Sequence, residues 1–220
     1  ISVAAAAPTY PPGSVFCASG ATVIVDVINP STGEIWMDRN LGATRAATSS
    51  TDANAYGDLY QWGRGNDGHQ CRTSSTTTTL SSTDQPGNGN FILAPNSPNQ
   101  WRSPQNNANL WQGVNGVNNP CPSGYRIPTE PELNVERITW KSGGGAYGAF
   151  GAMGRSVKWP TPGYRDRSSG LLQSVGNRGS YWSSTLANNN TPYYLYFQSA
   201  TDGTGGIQPA VGFSVRCIKD

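Results

Sequence analysis

About forty residues at the C-terminal end of the chain constrain its fold most. They contain three short aromatic-rich segments, at residues 179–184, 193–197 and 212–217. Aromatic and β-branched residues favour strands, and the Asn-, Gly- and Pro-rich connections between the segments favour turns. The third segment ends in Cys217. The pattern therefore predicts a small β-sheet closed by a cysteine, as in many extracellular modules.

The composition predicts one domain with much irregular structure. A chain of 220 residues is long enough for one sizeable hydrophobic core. Gly (27) and Pro (16) together make up about a fifth of the residues, and only 13% of the residues are charged. Surface polarity therefore comes mainly from Asn, Ser and Thr, which is typical of secreted proteins.

The charge distribution argues against nucleic acid as a partner. The net charge is +2 and the chain has no basic run, whereas nucleic-acid binding needs a concentrated basic patch. No stretch approaches the roughly twenty apolar residues that cross a bilayer, so we expect no membrane span. The chain starts at Ile1 rather than Met, and we expect that an upstream segment has been removed.

The four cysteines favour disulfide bonds. Cys17, Cys71, Cys121 and Cys217 are far apart and form no CxxC motif, whereas zinc needs about four clustered ligands. Two disulfides in an oxidising compartment fit this spacing, and four free thiols in a cytosolic protein are the alternative. Of the three pairings that four cysteines allow, we favour Cys17–Cys71 and Cys121–Cys217, because the second ties the middle of the chain to its C-terminal strand.

Local patterns predict a hairpin and two short helices. Residues 22–28 form a β-branched run that an Asn-Pro-Ser-Thr-Gly turn separates from residues 34–38. Residues 52–62 carry apolar side chains at helical spacing. The second helix begins at Thr129, where Glu132 completes a capping box, and should run to about Lys141.

The remaining segments predict loops. Residues 73–83 are rich in Thr and Ser, and we interpret them as an exposed loop, with a site for O-linked sugar and an irregular edge strand as the alternatives. Residues 84–120 and 143–180 are long irregular regions that aromatic side chains hold in place.

The N-terminal tail is a candidate assembly segment. Residues 1–16 precede the predicted domain, and the apolar, Pro-punctuated stretch 1–14 suits strand addition to the sheet edge of a neighbouring subunit. Such head-to-tail contacts build a filament when they do not close. The alternative is a tail that folds back on its own domain. The residues expected to insert are Ile1, Val3, Ala5, Pro8 and Tyr10.

A set of aromatic residues is a candidate ligand surface. Along residues 193–197, alternate side chains face opposite sides of a sheet, so Tyr194 and Tyr196 should point away from Leu195 and Phe197. Aromatic rings in a loop-rich domain serve either as packing or as stacking platforms for sugars. The candidates for ligand contact are Trp101, Trp111, Trp159, Tyr164, Tyr194 and Tyr196.

The sequence favours neither a metal site nor a catalytic site. Calcium needs clustered oxygen ligands, which Asp84 with nearby asparagines, or Asp202, could supply, although both segments are also ordinary polar turns. We therefore expect no cofactor, with calcium as the alternative. His69, the only histidine, is more easily explained as a structural residue. Nucleophile-elbow, HExxH and phosphate-loop motifs are missing. Asp38, Asp58 and Asp166 could act as a glycosidase pair only if folding brought two of them together.

Several motifs carry a family resemblance. In chain order they are WMDRNLGA (36–43), AYGDLYQWGR (55–64), DGHQ (67–70), NPCPSGYRIPT (119–129), YWSS (181–184) and SVRC (214–217). Through these motifs, residues 17–220 resemble the "major paralogous domain" family first named from Fibrobacter succinogenes, which is similar to the C-type-lectin-like fold and occurs in bacterial surface and secreted proteins. The resemblance implies a fold and a compartment but no ligand.

Together these observations predict an α+β, C-type-lectin-like domain at residues 17–220, with two short helices, a small antiparallel sheet and long irregular loops. We expect a non-enzymatic, secreted module at a cell surface, structural or adhesive, that self-assembles into an extracellular filament through its N-terminal tail. Its partners would be other copies of itself, and also glycans or other surface proteins. The alternatives are a monomeric carbohydrate-binding module and, less favoured, a glycoside hydrolase.

Overall fold

The computed structural model describes residues 7–187 and 191–220, which form a mixed α and β fold. Within these ranges there are two α-helices and thirteen short strands. The helices are α1 (Glu130–Thr139) and α2 (Gly148–Met153), and the strands are β1 (Asp26–Ile28), β2 (Ile35–Met37), β3 (Tyr60–Gln61), β4 (Thr76–Thr77), β5 (Phe91–Ile92), β6 (Tyr125–Arg126), β7 (Tyr164–Arg165), β8 (Leu172–Gln173), β9 (Arg178–Leu186), β10 (Pro192–Gln198), β11 (Thr201–Gly206), β12 (Gly212–Phe213) and β13 (Ile218–Lys219).

The strands form several small sheets rather than one. Three sheets are antiparallel, with the strand orders β1-β2-β13-β6, β11-β10-β9 and β3-β12-β7-β8. The fourth is the parallel pair β4-β5. The α+β class is therefore confirmed, with the antiparallel strands distributed over three sheets.

The predicted N-terminal hairpin is confirmed but is shorter than expected. β1 pairs with β2 in antiparallel register, with Val27 opposite Trp36. The turn between them is closed by the N–H of Gly33, which donates to the carbonyl of Asn29. Gly33 has φ +79°, a conformation that favours glycine. Residues 22–25 precede the strand.

The C-terminal sheet contains one strand more than the aromatic segments indicate. β10 pairs with β9 on one side and with β11 on the other. β11 has the sequence TDGTGG, whose glycines do not favour strands, so its pairing with β10 is a tertiary effect. The third aromatic segment starts with β12, which lies in a different sheet beside β3 and β7.

Helix α1 confirms its predicted start. The Thr129 side chain accepts a hydrogen bond from the Glu132 N–H, and the Glu132 carboxylate accepts one from the Thr129 N–H. This capping box satisfies two N–H groups that the helix itself leaves without partners. The helix ends at Thr139, two residues before the predicted end.

The helix predicted over residues 52–62 is wrong. Only Ala53–Ala55 form a single 3₁₀ turn, which Asp52 caps. The chain then turns at Gly57, where a Cβ would lie 2.2 Å from the carbonyl oxygen of Leu41, and residues 60–61 continue as β3. The Leu59 N–H bonds to the carbonyl of Gln70, so a distant partner replaces the helical one.

The Thr-rich segment and the two long loops contain more regular structure than predicted. β4, within residues 73–83, pairs with β5, which favours the edge-strand alternative over a free loop. Residues 143–180 include α2, β7 and β8.

Tryptophan packing builds the core on both faces of the C-terminal sheet. One apolar cluster includes Trp62, Trp182 and Phe213, and the other includes Trp36 and Phe197. The tryptophans in both clusters occupy the space that regular elements fill in other folds. All seven are at most 1% exposed: Trp36, Trp62, Trp101, Trp111, Trp140, Trp159 and Trp182.

Two disulfide bonds confirm the predicted pairing. Cys17 is bonded to Cys71, with 5.3 Å between their Cα atoms, and Cys121 to Cys217, with 5.9 Å. The second disulfide lies in the core, where Cys121 and Cys217 are 2% and 0% exposed. No helix in the described ranges is both long and apolar enough to span a bilayer.

Candidate functional site

Three of the predicted ligand-facing aromatics are core residues, and that part of the prediction is wrong. Trp101, Trp111 and Trp159 are at most 1% exposed. Each indole N–H is also used internally: Trp101 donates to the carbonyl of Trp62 at 2.7 Å, and Trp159 donates to the Glu136 carboxylate at 3.1 Å. Burial of the ring and use of its N–H leave nothing for a ligand to contact.

The other three aromatics meet around an arginine that the sequence did not indicate. The guanidinium carbon of Arg178 lies 6.0 Å from the ring centroid of Tyr164, 6.0 Å from that of Tyr194 and 5.5 Å from that of Tyr196. Its Nη2 donates to the Tyr194 hydroxyl at 3.1 Å. We call these four residues the tyrosine–arginine cluster. Cation–π contacts of this kind hold the arginine and the rings in a fixed arrangement.

The β10 strand places its tyrosines by alternation, as predicted. Leu195 and Phe197 pack into one core cluster, whereas Tyr194 and Tyr196 pack against the other. Arg178 lies on the same face because it pairs with Gln198, two positions beyond Tyr196. The alternation Arg178, Ser180, Trp182 along β9 is the sequence signal that could have identified this arginine.

Glycines on β11 make room for the tyrosine rings. Gly205 is opposite Tyr194 and Gly203 is opposite Tyr196. A Cβ at Gly203 would lie 2.7 Å from the Tyr196 hydroxyl oxygen, because the ring extends across that strand. Tyr196 thus covers a strand that has no side chain of its own at this position, an arrangement that stabilises glycine in sheets.

The cluster offers an aromatic and hydrogen-bonding surface. Tyr194 is 9% exposed, and Tyr164, Tyr196 and Arg178 are half-buried. Burial raises the pKa of Tyr194 and nearby Arg178 opposes this shift, so the phenol stays neutral at physiological pH. Half-buried rings beside a guanidinium can stack on a ligand and donate hydrogen bonds to it.

The N-terminal tail joins the domain earlier than predicted. Ile1, Val3 and Ala5 lie outside the described residues, and Pro8 is exposed. Tyr10, predicted to insert into a neighbour, instead packs on the chain's own core, and its hydroxyl donates to the carbonyl of Thr22 at 3.0 Å.

Further contacts fix the tail as far as Val15. Thr9 and Ser123 exchange hydrogen bonds through the Thr9 N–H and carbonyl, and the Val15 N–H donates to the carbonyl of Asn66. The fold-back alternative therefore describes residues 9–15, and the candidate assembly segment is reduced to residues 1–8.

His69 is a structural residue with no free nitrogen. Its Nε2 accepts the backbone N–H of Gln61 at 3.0 Å, and its Nδ1 lies 2.5 Å from the Asp67 carboxylate. Burial lowers the pKa of His69 to about 4, aided by Arg64 and opposed by Asp67. A neutral imidazole with both nitrogens bonded cannot act as a general base.

The calcium candidates already bind cationic side chains. The Asp202 carboxylate contacts Arg137 at 2.5 Å and Lys141 at 2.8 Å, and Asp84 contacts Arg102 at 3.2 Å. Among the residues that the structure describes, no group of three or more His, Cys, Asp and Glu side chains could hold a metal ion.

The three candidate glycosidase carboxylates have separate surroundings. Asp38 pairs with Arg39 at 2.6 Å. Asp166 accepts hydrogen bonds from the N–H groups of Ser168 and Ser169 within its own turn. Asp58 is buried, 5% exposed, and lines a cleft.

Comparison with known proteins leaves the chain unassigned. A scan of protein-family models, a search of curated proteins and a search of solved structures found no match. Any functional assignment therefore depends on the residues and geometry of the chain itself.

Proposed function

We propose that this chain is a non-enzymatic extracellular module that acts through rigid surface contacts, as a structural or adhesive domain at a cell surface. The observation that carries the proposal is that buried arginines donate hydrogen bonds to the backbone of the loops and hold them in place. Arg64, Arg165 and Arg216 are at most 3% exposed. Each donates to backbone carbonyls of segments far away in the sequence, so the irregular parts of the fold are held from inside.

The arginine contacts connect loops that no sheet joins. Arg64 donates to the carbonyls of Asn88 and Asn90, at 3.1 and 2.9 Å. Arg165 donates to the carbonyls of Cys71 and Ser74, at 3.1 and 2.6 Å. Charge-assisted hydrogen bonds in a buried setting are stronger than neutral ones, and loops held this way suit display or load-bearing better than catalytic motion.

The remaining features agree with an extracellular location. Two disulfide bonds favour an oxidising compartment. α1 packs on the β9-β10-β11 sheet, and we propose that residues 17–220 adopt the C-type-lectin-like arrangement that their motifs resemble. The family that these motifs resemble occurs in surface and secreted proteins, and we propose the same location for this chain.

We further propose that residues 1–8 link one copy to the next. Among the described residues, the tail's hydrogen bonds to the domain involve Thr9 and residues after it, and we assign the linking role to the shorter segment that precedes Thr9. It carries Ile1 and Val3 at alternate positions and has no charged side chain, as strand addition to a sheet edge requires.

Light scattering and negative-stain electron microscopy test this linkage. The full chain is compared with a chain that lacks residues 1–8. The truncated chain keeps Thr9 and the following residues, which are hydrogen-bonded to the domain. A matched pair of variants, Val3→Asp and Ser2→Asp, places the same charge on opposite faces of the inserted strand. We expect polymers from the full chain and from Ser2→Asp, and monomers from the other two. Monomers in all four samples would refute self-assembly through the tail.

Carbohydrate binding at the tyrosine–arginine cluster is the second candidate function. It is favoured by the meeting of Tyr164, Tyr194 and Tyr196 around Arg178, because sugars bind to aromatic faces flanked by donors. A glycan array tests it with Tyr196→Ala and, as control, Tyr147→Ala, which removes a 57% exposed tyrosine outside the cluster. Binding lost only in Tyr196→Ala supports this candidate, and equal binding by both variants removes it.

A further inference from the structure

A small cleft shares no lining residue with the tyrosine–arginine cluster. It is formed by the segments 17–18, 42–44, 53–58 and 71–73 and has a volume of about 230 Å³. At roughly 30 Å³ per water molecule, this corresponds to seven or eight waters. The cleft therefore suits a ligand of monosaccharide size rather than a peptide.

Asp58 lines this cleft with a carboxylate that has no hydrogen-bond donor among the described residues. The side chain belongs to a residue that is only 5% exposed. Its backbone N–H donates to the carbonyl of Leu41, but within residues 7–187 and 191–220 no protein group donates to its carboxylate oxygens. Its oxygens are not among the described side-chain atoms that are both fully buried and without a partner, so they face the cleft, where water or a ligand can donate to them.

The neighbouring backbone is shaped to admit this carboxylate. Gly42 has φ +79°, and a Cβ at that position would lie 2.2 Å from the Asp58 carboxyl carbon. Any other residue at position 42 would both strain the backbone and displace the carboxylate. The fold thus holds an unpaired acceptor against the cleft rather than excluding it.

Arg72 supplies the opposite chemistry in the same cleft. Its Nη2 donates to the carbonyl of Pro162 at 2.8 Å and its Nη1 to that of Gly57 at 3.4 Å. Within the described chain these use two of the five N–H groups of the guanidinium. The lining of the cleft therefore includes both an acceptor, Asp58, and spare donors, on Arg72.

We propose that this cleft binds a neutral polyhydroxy ligand of monosaccharide size, with Asp58 accepting a hydrogen bond from one hydroxyl and Arg72 donating to the same or the adjacent hydroxyl. A hydroxyl group both donates and accepts, so a vicinal diol satisfies both side chains. The site shares no residue with residues 1–8 or with the tyrosine–arginine cluster, so it stands or falls independently of the proposed function.

Charge selects a neutral ligand over an ionic one. Arg72 repels a cation that approaches Asp58, and Asp58 repels an anion that approaches Arg72. A zwitterion would bring two more charges out of water, which adds a desolvation cost. Hydroxyls satisfy the same groups at a smaller desolvation penalty.

Saturation-transfer NMR and calorimetry test the site on the full chain at pH 8. The probes are free pyranoses (glucose, galactose, mannose and fucose), with glycine as the zwitterionic comparison. We expect saturable binding of at least one pyranose with a millimolar Kd, weakened at least ten-fold by Asp58→Asn and by Arg72→Met. Asp220→Asn, which removes an exposed carboxylate outside the cleft, should change the Kd less than two-fold.

The possible outcomes distinguish a wrong type of ligand from a wrong location of the binding site. Because Asp58 accepts no hydrogen bond from the described protein, Asp58→Asn should keep the native circular dichroism spectrum, so lost binding cannot be attributed to unfolding. Binding of glycine but of no pyranose would overturn the assignment of a neutral ligand. No saturable binding at 50 mM of any probe, or pyranose binding that both cleft variants leave unchanged, would overturn the site.

Discussion

At the scale of single residues, burial decides what the charged groups do. Burial raises the pKa of Asp58 to about 7, and Arg72, the charged side chain that faces it, opposes the shift only in part. Burial alone would also raise the pKa of Asp202, but hydrogen bonds from Lys141, the Gly148 N–H and Arg137 lower it. The pKa values of these two carboxyls thus shift in opposite directions, because among the described residues hydrogen-bond donors reach Asp202 and not the Asp58 carboxylate.

These opposite shifts predict opposite pH effects on stability. The folded chain holds the Asp58 proton more tightly than the unfolded chain, so the native protein loses stability relative to Asp58→Asn as pH rises from about 4 to about 7. A difference of about three pKa units corresponds to about 4 kcal/mol. Urea unfolding from pH 3 to pH 8 measures the difference in the free energy of unfolding between the native protein and Asp58→Asn.

Asp202→Asn is the control with the opposite sign. Its folded-state pKa is lowered, so the native carboxylate stabilises the fold above the unfolded pKa, and this advantage over Asp202→Asn disappears as pH falls through the folded pKa. If the difference in free energy of unfolding between the native protein and Asp58→Asn did not change with pH, burial would not raise the pKa of Asp58.

At the scale of elements, the β11 strand depends on its neighbour rather than on its own sequence. Gly203 and Gly205 occupy equivalent alternate positions on β11, yet their surroundings differ. A Cβ at Gly203 would lie 2.7 Å from the Tyr196 hydroxyl, whereas at Gly205 the nearest atom would be at 3.7 Å, an ordinary contact. The two glycines therefore form a matched pair for testing what the ring requires.

Alanine substitutions should affect these positions in opposite directions. Gly205→Ala should raise the free energy of unfolding by about 0.5 kcal/mol, because glycine in a strand loses more entropy on folding than alanine. Gly203→Ala should lower it by about 1 kcal/mol, since the half-buried Tyr196 ring must move. Chemical denaturation and the ring NMR signals of Tyr196 measure both effects. Equal stabilisation by the two alanines would contradict the ring placement.

At the scale of the whole molecule, two disulfides and buried arginines hold a fold in which most strands have two or three residues. The two disulfides join cysteines that are 54 and 96 positions apart in the sequence. Because both restrict the unfolded chain to a similar extent, each should stabilise the fold by on the order of 4 kcal/mol. Their surroundings differ, because Cys121 and Cys217 are core residues whereas Cys17 is exposed.

Removal of the core disulfide should therefore be the more damaging change. We expect the double variant Cys121→Ser/Cys217→Ser to lose more stability than Cys17→Ser/Cys71→Ser, because it also buries two hydroxyls in an apolar cluster. Thermal unfolding of both double variants under non-reducing conditions makes the comparison. A smaller loss for the core pair would contradict the burial of Cys121 and Cys217.

Signals carried by adjacent residues were sufficient to predict some parts of this fold. The capping box at Thr129 and the turn after Ile28 involve groups a few residues apart, so their chemistry can be read along the chain. The alternation along β10 is equally local. The disulfide pairing is confirmed too, although the spacing of the cysteines left three pairings open and the favoured one was chosen because it ties the middle of the chain to the C-terminal strand.

The remaining features depend on contacts between residues distant in sequence. Residues 52–62 have helical spacing, but bonds from Leu59 to Gln70 and from Gln61 to the His69 side chain replace helical ones, and residues 60–61 pair with β12 as a strand. Whether a tryptophan is core or surface depends on what covers it, and neighbouring residues cannot show that. The sequence by itself determined the α+β class, the caps and turns, and the cysteine chemistry. The tertiary structure alone decided which aromatics are buried, that Arg178 joins three tyrosines and that Asp58 and Arg72 line one cleft, because burial and long-range pairing exist only in the folded chain.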